Sequence, residues 1–251
     1  MEETKEVGFL DAMAGQGTET FTARDVKIPF IKIITKGCPE SDEDSPGYIK
    51  GCKNGVFLNT LTKEIYGNKI EIVVLHYDLE WICWAPDRGG FRGRHKPGTI
   101  EVVGSPFDKE GMRDMEGNNV VETMTYHVML KDRLEDGIAM LALSSSAMPY
   151  AQAWNSFILM TKLDSGKRAP LFGSYWELEL KYNQNKDGTW YTIGADKKPA
   201  VSRTRFITKE EWEMFISRSR QLVLSGQAKA DYSQITENAG RPALNTDNPD
   251  Y

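Results

Sequence analysis

Cysteine and histidine are scarce, with three of each in 251 residues. Cys38, Cys52 and Cys83 are odd in number and widely spaced, which argues against a disulfide framework and for a reducing compartment. No CxxC pair or HExxH segment occurs, so no zinc spacing is present, and His76, His95 and His127 are scattered. Neither a metal nor a cofactor is expected. No Gly-x-Ser-x-Gly elbow surrounds Ser144-Ser-Ser146, and no Gly-Lys-Ser/Thr ending completes a phosphate-binding loop. Catalytic residues are therefore not assigned, and an enzyme is the class with least support. No apolar run approaches the ~18 residues that span a bilayer, so no membrane partner is expected. Met1 to Gly17 is acidic and lacks a basic start with an apolar stretch behind it, so a signal peptide is not expected either.

The composition holds enough to build a core: 40% hydrophobic residues and 10% aromatics, too many for a disordered chain. The net charge of −5 is unevenly spread. Met160 to Lys209 carries ten Lys/Arg against five Asp/Glu, so a basic sector sits on an acidic protein. Such a sector neutralises phosphates locally, or is a solvated mixed-charge surface; composition leaves both open.

Residues 1–20 read as a flexible arm. Val26 to Ile34, Val56 to Leu61 and Lys69 to Trp84 read as strands, with Pro29 at an edge or strand start; the last is long enough to bend or split. Ala85 to Gly98 (APDRGGFRGRHKPG) is a basic, Gly-rich loop, either a soluble hairpin tip or a cover for a phosphate backbone. Val120 to Lys131 and Gly137 to Ser144 read as two further strands. Ser144 to Ser146 offer N-caps for a helix whose stripe is Tyr150, Trp154, Phe157, Ile158 and Thr161. Thr208 and Glu211 form a capping box, Ile207 with Trp212 a hydrophobic staple, and Gly226 a stop, which defines a helix over 208–226. Residues 227–251 read as a weakly acidic tail.

Leu171 to Ile193 is the stretch most suggestive of function. Phe172, Trp176, Leu178, Leu180 and Tyr182 alternate with Tyr175, Glu177, Glu179 and Lys181, the pattern of a half-buried strand. Asn183 to Gly188 is turn chemistry, and Thr189 to Ile193 reads as the returning strand. Its aromatics are either ordinary cross-strand pairs or a platform on which bases stack.

The segments IPFIKII, GVFLNTLTKEIYG, EWICWAP, GGFRGRH, GIAMLALSSSAMPYAQAWNSFI and KDGTWYTI, in this order, resemble a family of bacteriophage single-stranded DNA-binding proteins over Ile28 to Ile193. The resemblance implies a mainly β, α+β chain whose 21–226 form one OB-fold domain, a five-stranded Greek-key barrel with long loop insertions and two helices. It implies sequence-tolerant binding of single-stranded DNA in phage replication or recombination, in the cytoplasm of the infected bacterial host. Expected stackers are Trp81, Trp84, Phe91, Tyr175, Trp190 and Tyr191. Expected backbone contacts are Arg92, Arg94, Lys96, Lys181, Lys186, Lys197 and Lys198. Asp247, Asp250 and Tyr251 resemble the tail through which such proteins recruit replication or recombination partners. The helix 208–226 packs on the barrel or forms a homodimer contact. A strand-annealing recombination protein, or a phage structural or interaction protein that does not bind nucleic acid, stand as alternatives.

Overall fold

The computed structural model describes residues 27–86, 90–106, 110–186 and 188–228, together with Tyr232 and Ile235. The chain is mainly β, and its named sheets are antiparallel. In order, the strands are β1 (Ile31–Ile33), β2 (Phe57–Asn59), β3 (Ile65–Gly67), β4 (Lys69–Trp84), β5 (Phe91–His95), β6 (Val102–Val103), β7 (Met112–Asp114), β8 (Asn119–Leu130) and β9 (Ala139–Ser144). They continue with β10 (Ser174–Glu179), β11 (Lys181–Asn185), β12 (Gly188–Thr192), β13 (Gly194–Ala195), β14 (Lys198–Pro199) and β15 (Val201–Phe206). Helix α1 is Met148–Met160, and α2 (Lys209–Glu211) runs through a π-turn (Trp212–Ile216) into α3 (Ser217–Leu224).

The β4–β8 pair is the spine of an eight-stranded sheet, joined from Ile72–Leu130 to Trp84–Asn119. The free edge of β4 takes β10 and then β15 at one end, and β5 at the other. The free edge of β8 takes β9 at one end and β7 with β6 at the other. A three-stranded sheet, β1–β2–β3, meets β9 through a bridge between Phe30 and Met140. Among the described strands no closed barrel forms; β15 and β6 end the path of the large sheet.

Both faces of the spine are covered. On the first face, Ile70, Ile72 and Val74 of β4 join Met124, Tyr126 and Val128 of β8 under Trp154 and Ile158 of α1. On the second, Val73, Leu75, Ile82 and Trp84 join Val121 and Met129 under Ile216, Val223, Ala228, Tyr232 and Ile235. This is why β4 begins as an unbroken apolar run, Ile-Val-Val-Leu, between its charged positions: alternate residues serve different cores. A bulge between Val74 and His76 shifts the register without splitting the strand.

The helices follow their signals unequally. Thr208 Oγ1 accepts from Glu211 N at 3.2 Å while Glu211 Oε2 accepts from Thr208 N at 2.7 Å, the reciprocal capping box. Ile207 and Trp212 both pack against the second core, and Gly226 turns at φ +72°. The expected serine cap of α1 is corrected. Ser145–Ala147 forms a 3-10 turn, the N-cap is Ala147, and no side chain caps the helix. Trp154 and Ile158 anchor the expected stripe.

Two predictions test this arrangement. Trp154 is fully buried and stacks on Tyr126 at 4.5 Å; Trp154→Ala should cost about 3–5 kcal/mol in urea unfolding. Arg205 holds the Glu211 carboxyl at about 2, below its ordinary 4.5. That stabilisation is present above the ordinary carboxylate range and is lost as pH falls from 4.5 toward 2. Glu211→Gln should therefore lower the melting temperature at pH 7 and flatten its fall on acidification.

Candidate nucleic-acid interface

The aromatic stretch divides at Leu180. β10 ends at Glu179, Leu180 N donates to Asn68 O at 2.8 Å, and β11 leaves the large sheet to pair with β12. Tyr182 stands opposite Tyr191, their rings edge-on at 5.6 Å, and Asn183 stands opposite Trp190. Tyr182 is 52% exposed, whereas Tyr191 and Trp190 are half-buried. Tyr191 lies over Gly55, where a Cβ would come within 2.5 Å of its ring. Asn183 Nδ2 donates to Gly194 O at 2.9 Å, tying this hairpin to the β13–β14 ribbon. There Asp196 and Lys197 take positive φ, making a tight turn that exposes Lys197 and Lys198.

The charges here are mixed. Lys181 Nζ is 2.7 Å from Glu179 Oε1, and Lys69 reaches Glu177 at 3.3 Å and Glu179 at 3.6 Å. Lys181 and Lys198 line an open cleft of about 370 Å³ together with Glu177 and Glu179. Among the described residues Lys186, Lys197 and Lys198 have no carboxylate partner. Exposed ion pairs contribute only ~0–1 kcal/mol, so a phosphate competes readily with Glu179 for Lys181. Arg203, exposed on β15 and lying 4.4 Å over the Phe206 ring, is a further flat cation. A roomier cleft of about 670 Å³ is walled by Glu64, Asp132, Glu135 and Asp136, which repel phosphate.

The remaining expected residues attach elsewhere. β10 meets β4 at Lys69–Val73 and β5 meets it at Trp81–Trp84; Val73 and Trp81 are therefore about 26 Å apart along the strand. Arg92 and Lys96 are exposed on or beside β5. Arg94 instead contacts Glu80 Oε1 at 3.3 Å. Trp81 is half-buried, and its Nε1 donates to Glu122 Oε2 at 3.3 Å. Phe91 is half-buried and already stacked, at 5.6 Å, on Tyr232.

Trp84 and Tyr175 are corrections. They are 4% and 0% exposed, sealed in the second core, so neither has a ring face to offer a base. The alternation of β10 is real, but helix residues from α2–α3 cover the face expected to be open. Conversely, Tyr182 shares parity with the buried Trp176 and Leu178 and was not among the expected stackers, yet it is exposed. The strand change at Leu180 lifts it out. The expected tail residues Asp247, Asp250 and Tyr251, and the expected arm, lie outside the described residues.

Residues 3–221 match the sequence profile described as Pam3 phage gp34-like protein. The chain belongs to the Pam3 phage gp34-like family. It is thus a bacteriophage protein, with most of the described structure inside the matched span. No curated protein and no solved structure matches it. In this member of the gp34-like family no described helix is long and apolar enough to cross a membrane. Among the described residues no group of three His, Cys, Asp or Glu side chains is placed to hold a metal ion.

The seating of the hairpin is testable through Gly55, whose φ is +83° and whose missing side chain makes room for Tyr191. Gly55→Ala should destabilise the protein by about 1 kcal/mol or more. It should also raise proteolytic cutting within 181–192 ahead of global unfolding.

Proposed function

We propose that this gp34-like protein binds single-stranded DNA without strong sequence preference. The observation that carries the reading is one hairpin, β11–β12, standing off the large sheet with Tyr182 exposed and Trp190 and Tyr191 half-exposed beside it. Lysines 181, 186, 197 and 198 flank these rings on the hairpin and the adjoining β13–β14 turn. Exposed rings next to cations suit unpaired nucleotides. A base with no partner strand has both π-faces free to stack, while the backbone needs only diffuse positive charge. Duplex DNA keeps its bases stacked inside and gains only the charge term. The reading does not need barrel closure; an exposed Tyr182 on a ribbon that also carries Trp190, Tyr191 and lysines is sufficient.

Arg203 on Phe206 extends the same chemistry along β15. Trp81, Phe91, Arg92 and Lys96 belong to a separate surface at the far end of β4, and the reading does not draw on Trp84 or Tyr175. On this reading the protein acts where phage replication or recombination exposes single strands.

A protein-binding surface is the second reading. It is favoured by Glu177 and Glu179, which share a cleft with Lys181 and Lys198 and offset their charge. The two readings separate in a titration. Fluorescein-labelled oligo-dT should bind more tightly than duplex of the same length, with affinity falling as salt rises. Tyr182→Ala should weaken binding by about 1–3 kcal/mol, the value of one stacked base. Lys186→Glu with Lys197→Glu should reduce the salt slope. Equal affinity for duplex, or none for oligo-dT at low salt, would remove the proposal in favour of a protein partner.

A further inference from the structure

The second face of the spine is apolar at both ends and polar in the middle. His76, Asp78 and Glu80 of β4 stand opposite His127, Thr125 and Thr123 of β8. Leu75 and Met129 lie to one side, and Ile82, Trp84 and Val121 to the other. Buried polar side chains need hydrogen-bond partners, and residues beyond α3 supply them. Tyr232 Oη lies 2.6 Å from Thr125 Oγ1 and donates to Glu80 Oε2 at 2.8 Å. Its ring stacks on Phe91 and sits tilted, at 5.1 Å, against Phe30. The carbonyl of Ala228 lies 3.3 Å from His127 Nε2. Ala228, Tyr232 and Ile235 are all buried in the second core.

His127 is 5% exposed. When its Nε2–H is given to the Ala228 carbonyl, a second proton must go to Nδ1, which is buried without a hydrogen-bond partner among the described residues. The charged and titratable groups facing the ring come from three elements. β4 contributes His76, 5.8 Å away between ring centroids, with Asp78 and Glu80; β5 contributes Arg94; the C-terminal segment contributes Tyr232. Asp78 Oδ2 already meets His76 Nε2 at 3.1 Å, and Glu80 already accepts from Arg94 and Tyr232. Both carboxylates are thus engaged by other groups. Burial, chiefly, pushes the His127 ring down to about 4 from its ordinary 6.5; the Ala228 carbonyl and Asp78 act against it, and His76 and Arg94 act with it.

We propose that Ala228, Tyr232 and Ile235 close this face as a latch, and that protonation of His127 opens it. Closure requires a neutral ring, whereas an opened face lets water solvate the charged one. Closing is fully favoured above the ordinary histidine range. It weakens as pH falls from 6.5 toward 4, because there the open form binds the extra proton. The dependence is about tenfold per pH unit for one proton. Opening uncovers Phe30 and Phe91 together with the polar ladder. This device does not depend on nucleic-acid binding.

Hydrogen exchange of the full chain, corrected for intrinsic rates, tests it between pH 7.5 and 5. Peptides that contain Ala228 and Tyr232 should lose protection about tenfold per pH unit below the ordinary histidine range. Those from β4 and β8 should keep theirs. His127→Gln retains a donor for the Ala228 carbonyl but cannot titrate, and should stay protected at pH 5. Unchanged protection in the wild type, loss from β4 and β8 at the same pH, or an undiminished pH dependence in His127→Gln would each overturn the latch. Should that variant not fold, nitrogen NMR of the wild-type ring replaces it: coincident midpoints of ring titration and segment opening are expected, and separated midpoints overturn it.

Discussion

A sheet whose central strands run through two cores must be covered on both faces, and that requirement shapes this molecule. β4 and β8 pair from Ile72 to Trp84 across one bulge, and outside the polar stretch of His76, Asp78 and Glu80 alternate β4 residues point into different apolar clusters. One face is closed by α1 through Trp154, the other by the α2–α3 region and by Ala228, Tyr232 and Ile235. Apolar burial is the dominant favourable contribution to folding, so both covers contribute to stability. Side chains over the spine are therefore committed to packing, and chemistry is left to what hangs from its ends.

Two such peripheral groups stand out among the described residues, and they differ in availability. The β11–β12 hairpin and the adjoining β13–β14 turn project an exposed ring and, among the described residues, three lysines without a carboxylate partner. The β5 group is partly engaged: Arg94 with Glu80, and Phe91 with Tyr232. An acidic net charge is no obstacle to the first group, because screening confines surface fields to roughly 10 Å at ordinary salt. Local pairing with Glu179 matters more than the −5 of the whole chain.

Much of the architecture was legible from residue order. The sixteen residues of β4 were bounded as they stand, because charged and turn residues punctuate that run at both ends. The capping box at Thr208 was legible because it is local, four residues long and chemically specific. What failed was non-local. That Tyr175 is sealed depends on Ile216 and its neighbours some forty positions later, and no pattern within a strand reports what covers its second face. Tyr182 was not singled out, because parity persists in a sequence even when the backbone changes sheets at Leu180. β5 went unseen within its Gly-rich loop, since Phe91–His95 pairs through backbone groups that any residue supplies. The serines before α1 looked like caps but were drawn into a 3-10 turn, with Ser145 at φ 49°. Barrel closure was an expectation from resemblance, and the described strands form an open sheet.

The most direct test of the central claim is where a bound strand touches the protein. Oligo-dT carrying 5-iodouracil, crosslinked by light and mapped by mass spectrometry, should attach at Tyr182, Trp190 or Tyr191. Crosslinks confined to the β5 surface around Trp81 and Phe91, or none under saturating oligonucleotide, would contradict the account.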